Sequence, residues 1–110
     1  LDNLVVIIDN NGLQNDGFAK DIMPTEDLRA KFAAFGFDAI RIDGHNMEEI
    51  CATLEKCYAS KNGKPKCIYA HTIKGKGVSF MENSVSWHGV APNEEEHAKA
   101  MQELQAQIIE

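Results

Sequence analysis

Leu4 to Ile8 reads LVVII, an unbroken apolar run in which four of the five residues are β-branched. A strand with one wet face alternates apolar and polar residues. A continuous run suits a strand covered on both faces, as in a parallel sheet flanked by helices.

The rest of the chain is patterned to supply that cover. The stretch DNNGLQNDG, residues 9–17, is turn-prone. A helix is predicted from near Thr25, whose hydroxyl can cap it, with Glu26 and Asp27 at the positive end of its dipole. Leu28, Phe32 and Phe35 recur at helical spacing, and Gly36 supplies the stop. A second strand, Asp38 to Ile42, runs into Asp43-Gly44. Asn46 and Glu49 form a capping-box pattern ahead of a helix with Met47, Ile50, Leu54 and Cys57 on one face. KNGKPK then leads to a third strand, Cys67 to Thr72, and to a loop from Ile73 to Pro92. Asn93 with Glu96 repeats the cap pattern, and Met101, Leu104 and Ile108 stripe a final helix. The order β-α-β-α-β-loop-α predicts an α/β fold, a parallel sheet with flanking helices and right-handed crossovers.

At 110 residues the chain has the size of one domain, and 44% apolar with 25% charged residues is ordinary for a globular protein. Eleven basic against seventeen acidic side chains give −6, which argues against nucleic acid held by phosphate neutralisation. No apolar run nears the ~20 residues that span a bilayer. The expectation is a soluble, cytoplasmic protein without a membrane partner. Cys51, Cys57 and Cys67 follow no metal-binding spacing and read as buried, reduced thiols. The chain opens at Leu1 without Met, two residues before a strand, as if cut from something longer.

In such sheets ligands bind beyond the carboxyl ends of the strands. That edge carries residues 9–17, 43–46 and 73–87, and two of these loops exceed the usual ~2–6 residues. Asn11, in Asp9-Asn10-Asn11-Gly12, reads first as a turn residue. Its neutral amide oxygen, joined by a carbonyl of the same loop, also suits Mg2+ or Ca2+ where phosphate supplies the charge. Five lysines and no acid lie between Lys61 and Lys76. Lys61, Lys64 and Lys66 read as solvated, whereas Lys74, between Ile73 and Gly75, can point at a phosphate that the glycine amides approach closely. His88, in SWHGVAP, reads as a packing or surface residue, or as a proton donor or phosphate contact. His45 is read as ordering a turn, His71 as core or site, and His97 as helix surface.

Taken in order, LDNLVVIIDNNGLQNDG, AFGFDAIRIDGHN, KPKCIYAHTIKGKGVSFMEN and SWHGVAPNEEE resemble the transketolases. The resemblance spans essentially the whole chain. It matches residues 1–110 to the second half of the thiamine-diphosphate-binding domain, as in the N-terminal subunits of split transketolases. It implies transfer of a two-carbon ketol unit from a ketose phosphate to an aldose phosphate, in the pentose phosphate pathway, with thiamine diphosphate and Mg2+. By position it implies that Asn11 gives its side-chain oxygen and Leu13 its backbone carbonyl to the metal. It places Lys74 beside the diphosphate and thiazolium, and His88 at the diphosphate and reacting substrate. The family's Gly-Asp-Gly motif, which carries the third ligand, is not in this chain, and Asn15 stands where many relatives have an aliphatic residue near the cofactor ring.

The resemblance further implies a pyrimidine-binding, C-terminal subunit or domain as partner, sugar phosphates as substrates, and an oligomer. The chain alone is expected to be inactive and to self-associate through an uncovered sheet edge. Two other readings compete. One is a deoxyxylulose-phosphate synthase-like enzyme, which shares the NNG and KGKG segments; the other is a non-catalytic α/β binding module.

Overall fold

The computed structural model describes residues 1–108. The chain divides into two compact units. The first joins residues 1–10 to 24–72, and the second joins residues 11–23 to the chain from Ile73 onward.

The first unit is the sheet. Strands β1 (Val5–Asn10), β4 (Asp38–Asp43) and β5 (Lys66–His71) pair in parallel in the order β1-β5-β4. The three strands lie within two residues of their predicted positions. Ile42, Ile68 and Ala70 share one face and are buried with Cys57 of helix α3 (Met47–Ala59), while Val5, Ile40, Ile50 and Leu54 pack around them. Because β1 is an edge strand, LVVII is only partly covered, and Ile7 stays 60% exposed. Met47 is likewise exposed, so the predicted apolar face of α3 begins at Ile50.

Three local expectations need correction. Helix α2 (Leu28–Ala34) is capped by Asp27, which accepts from the Ala30 amide, and not by Thr25. Glu26 lies in the left-handed region at φ 56°, so the helix cannot start before it. Phe35, expected on the helix's apolar stripe, is exposed. Gly36 does stop the helix at φ 88°, and Phe37 folds back edge-on to Phe32, centroids 5.0 Å apart. The Asn46–Glu49 box is half formed. Asn46 accepts from the Glu49 amide, but the Glu49 carboxylate reaches past it to the Asp43 amide at 3.1 Å.

Lys66 overturns the solvated reading given to it. Its side chain is 1% exposed, and its ammonium donates to Asn62 Oδ1 at 2.7 Å and to the Lys64 carbonyl. Burial pushes the Cys57 and Cys67 thiols up, as expected of inert cysteines, but Cys51 is exposed.

The second unit contains a hairpin and a short helix where the sequence predicts only loop. Strands β2 (Leu13–Gln14) and β3 (Gly17–Phe18) pair antiparallel and run into helix α1 (Ala19–Ile22). Helix α4 (Glu94–Gln105) closes the unit with the predicted capping box, Asn93 and Glu96 each accepting from the other's amide. Its apolar stripe is not buried. Met101 and Leu104 are about two-fifths exposed, and Ile108 lies past the helix end.

Candidate functional site

All four residues singled out for cofactor chemistry, Asn11, Leu13, Lys74 and His88, fall in the second unit. Asn11 and Leu13 are brought together directly, the Asn11 Oδ1 accepting from the Leu13 amide at 2.9 Å. This Asx turn is what an Asn before Gly favours, and Gly12 takes the left-handed conformation it needs at φ 73°. The Gly12 carbonyl in turn accepts from the Ala19 amide at 2.9 Å, closing the hairpin base. An amide oxygen has two lone pairs, so Asn11 keeps one after the turn is made. That oxygen is a neutral donor, the kind a hard divalent cation takes where an anionic ligand supplies the charge. Among the described residues no three His, Cys, Asp or Glu side chains group to hold a metal by themselves. The donors fit a cation shared with an anionic ligand.

Asn15 sits exposed at the hairpin tip with φ 51°. Asn tolerates that left-handed position where an aliphatic residue would be strained, so the turn accounts for its identity.

Lys74 opens a second tight loop. It is half-buried, and its carbonyl accepts from Asn83 at 3.0 Å. Gly75 is required here on two counts. Its φ is 74°, and a Cβ would stand 2.6 Å from the Met81 carbonyl oxygen. The expectation that the loop's amides point outward at a phosphate needs correcting for several of them. Gly77 donates to Glu82 at 3.0 Å, while Lys76 and Val78 donate to Ile73 and Gly75. Lys76 also pairs with Glu82 at 3.5 Å. The glycines shape the loop; they do not free it.

His88 is exposed at the end of a 3-10 turn, Val85–Trp87, its amide donating to Val85 at 3.1 Å. Trp87 anchors the turn, its indole N–H donating to the Phe80 carbonyl at 3.0 Å and its ring tilted on Phe80, centroids 5.5 Å apart. An exposed imidazole on a pinned turn can meet a ligand at little ordering cost. His71 and His97 are exposed, and His45 donates its amide to Asp43 in the turn before α3.

Sequence reading missed the bonds of Ser79. Its amide and hydroxyl both donate to the Glu103 carboxylate, at 2.6 and 2.7 Å, and hold that group below its usual pKa. A serine and a glutamate 24 positions apart carry no local signal of this.

The family model described as transketolase, thiamine diphosphate binding domain, matches residues 1–107. The chain is 41% identical over 109 residues to an apulose-4-phosphate transketolase subunit of Phocaeicola vulgatus, covering 98% of this chain and 38% of that protein. It is 35% identical over 108 residues to human transketolase, of which it spans 17%. The crystal structure of transketolase from Campylobacter jejuni superposes with a TM-score of 0.84 at 34% identity, over 94% of this chain and 16% of that one. The chain thus spans well under half the length of these relatives. Fold, motif order and these likenesses agree: the chain belongs to the transketolase family, in its thiamine diphosphate-binding domain.

Proposed function

We propose that the chain supplies part of a thiamine diphosphate and Mg2+ site in an enzyme that moves a two-carbon ketol unit from a ketose phosphate to an aldose phosphate. The observation that carries this reading is the Asn11–Leu13 turn, whose oxygens suit a divalent ion also bound by diphosphate. Asn11 would give its side-chain oxygen and Leu13 its carbonyl. Bound thiamine diphosphate supplies the electron sink for breaking and remaking a carbon–carbon bond. The residues of this chain bind and orient around it. Lys74 offsets phosphate charge from a half-buried position, and His88 meets the diphosphate and the reacting sugar, where its imidazole can hold or move a proton.

The remaining metal ligand and the pyrimidine half of the site would come from outside these residues. The Phocaeicola relative is named as one subunit of its transketolase, which supports a second subunit as partner here and an oligomer as the working form; in this reading that partner carries the pyrimidine-binding half. The same relative's name supports a phosphorylated sugar as substrate. Among the described residues no helix is long and apolar enough to cross a membrane.

Two substitutions in the assembled enzyme test the reading. Asn11→Ala should raise the Mg2+ needed for half-saturation with thiamine diphosphate by about tenfold or more. His88→Ala should lower kcat by about a hundredfold or more and, because a diphosphate contact goes with it, weaken thiamine diphosphate binding as well. Product analysis with ketose and aldose phosphates should show two-carbon transfer. Activity only with pyruvate would point to the deoxyxylulose-phosphate synthase-like alternative, and unchanged metal dependence and turnover in both variants would overturn the assignment.

A further inference from the structure

Resting on that reading of Asn11 and Lys74, we infer that Thr72 is a positioning residue, fixing the spacing of the two strand ends, Asn10 and Thr72, after which the Asn11 and Lys74 loops begin. Strands β1 and β5 end side by side, Asn10 opposite His71. Thr72 follows at once and is bonded back to β1 twice. Its amide donates to the Asn10 carbonyl at 3.2 Å, and its hydroxyl donates to the Asp9 carboxylate. The Asn10 side-chain amide donates in turn to the Tyr69 hydroxyl of β5. The last two residues before Asn11 therefore carry three ties to the strand whose continuation is Ile73-Lys74.

Thr72 is boxed from the other side by Gly44. A Cβ at Gly44 would stand 2.5 Å from Thr72 Cγ2 and 3.0 Å from the His71 carbonyl oxygen, which accepts from the Gly44 amide at 2.8 Å. Gly44 does not lie in the left-handed region, so its missing side chain answers to space rather than backbone conformation. A β-branched residue has few side-chain rotamers, and this one is held between a glycine and a carboxylate. Thr72 thus joins the exits of β1, β4 and β5.

The ties contribute to the spacing of these strand ends more than to global stability. Asp9 is exposed and Thr72 only half-buried, so either group recovers water if the bond is lost. What would be lost is the fixed spacing at which the two loops start. Loops that start from a fixed spacing meet a shared ligand with less ordering to pay for.

The test is calorimetric titration of the cofactor-free assembled enzyme with thiamine diphosphate in Mg2+, alongside its thermal midpoint. Thr72→Val should weaken cofactor binding about tenfold and move the midpoint by less than about 2 °C. Thr72→Ser, which keeps the hydroxyl, should restore affinity to within about twofold. Gly44→Ala, which leaves the hydroxyl but crowds the methyl, should also weaken binding several-fold. Asn11→Ala is the control. If it leaves affinity unchanged, the metal-site reading and this inference fall together. If it weakens binding while Thr72→Val binds normally, the inference about Thr72 alone is overturned. Failure of Thr72→Ser to rescue, or a midpoint drop in Thr72→Val as large as in a core variant, also overturns it, because either would mark a structural role.

Discussion

The sheet unit buries Ile42, Ile68 and Ala70 together against Cys57 of α3, whereas the loop unit buries Val78 and Ala100 and ties itself with polar groups. In the loop unit the Glu103 carboxylate holds Ser79, the Gln107 side chain donates to the Gly77 carbonyl at 2.7 Å, and Glu82 gathers Gly77 and Lys76. Of the apolar residues of α4, Ala100 is buried, while Met101 and Leu104 stay about two-fifths exposed. Every candidate site residue lies in the unit held by hydrogen bonds and charge. A binding region built this way keeps its shape through local geometry. A scaffold built on burial keeps its shape through the hydrophobic effect, which is indifferent to direction.

The largest effect that tests this contrast comes from equal truncations in the two units. Ile68→Ala, at a position 2% exposed, should cost about 3 kcal/mol in chemical denaturation. Leu104→Ala, at a position 40% exposed, should cost less than about 1 kcal/mol. Equal costs would break the comparison and show that the α4 stripe is covered in the assembled protein.

The same contrast explains what could be read from residues alone. The three strands were legible because β1 is a β-branched run and β4 and β5 are short apolar-bearing stretches bounded by turn residues. Asn93 and Glu96 were legible because a capping box is a local pattern. Asn11 and its turn were legible for the same reason, whereas the β2–β3 hairpin was not. Leu13 and Phe18 are too sparse to announce strands, and Asn15-Asp16-Gly17 reads only as a turn. Thr25 and Asp27 both qualify as caps, and the left-handed Glu26 between them decides the outcome in favour of Asp27. The bonds of Thr72 to Asp9, of Tyr69 to Asn10 and of Ser79 to Glu103 depend on strand register and helix placement. No window of sequence contains both partners.

Lys66 sharpens the contrast from the other side, as a charge inside the burial-driven unit. Its stem lies on the core face of β5, and its ammonium finds two oxygens, with Asn62 also donating to Asp38 at 3.2 Å. A buried ammonium survives only with such partners, while its four methylenes pack like any apolar side chain. Lys66→Ala should therefore cost about 2 kcal/mol, from lost packing and lost hydrogen bonds together. Lys66→Met, which keeps most of the stem, should recover at least half of that in the same denaturation assay. A Met variant no better than Ala would mean that the ion and its bonds, not the stem, hold this corner.

The smallest expected effect is a shift along the pH axis in the loop unit. The Ser79 amide, then its hydroxyl, hold the Glu103 carboxyl below the ordinary value of 4.5, and Lys99 adds to this. A carboxylate with a depressed folded pKa contributes stability that is present above the unfolded value and is lost as pH falls through the folded one. That contribution therefore disappears on the acid side of 4.5 and is unaffected near neutrality. Ser79→Ala removes the hydroxyl donor and leaves the amide, so carbon-detected NMR titration should find the Glu103 pKa moved part of the way back up. Glu103→Gln cannot titrate and should flatten the stability curve over the same acid range. Because Glu103 sits at the surface, both changes should be small beside those at Ile68 and Lys66. If Ser79→Ala leaves the Glu103 titration where it was, the hydroxyl is not what lowers it, and hydrogen bonding would lose one of its clearest supports as the organising force of the loop unit.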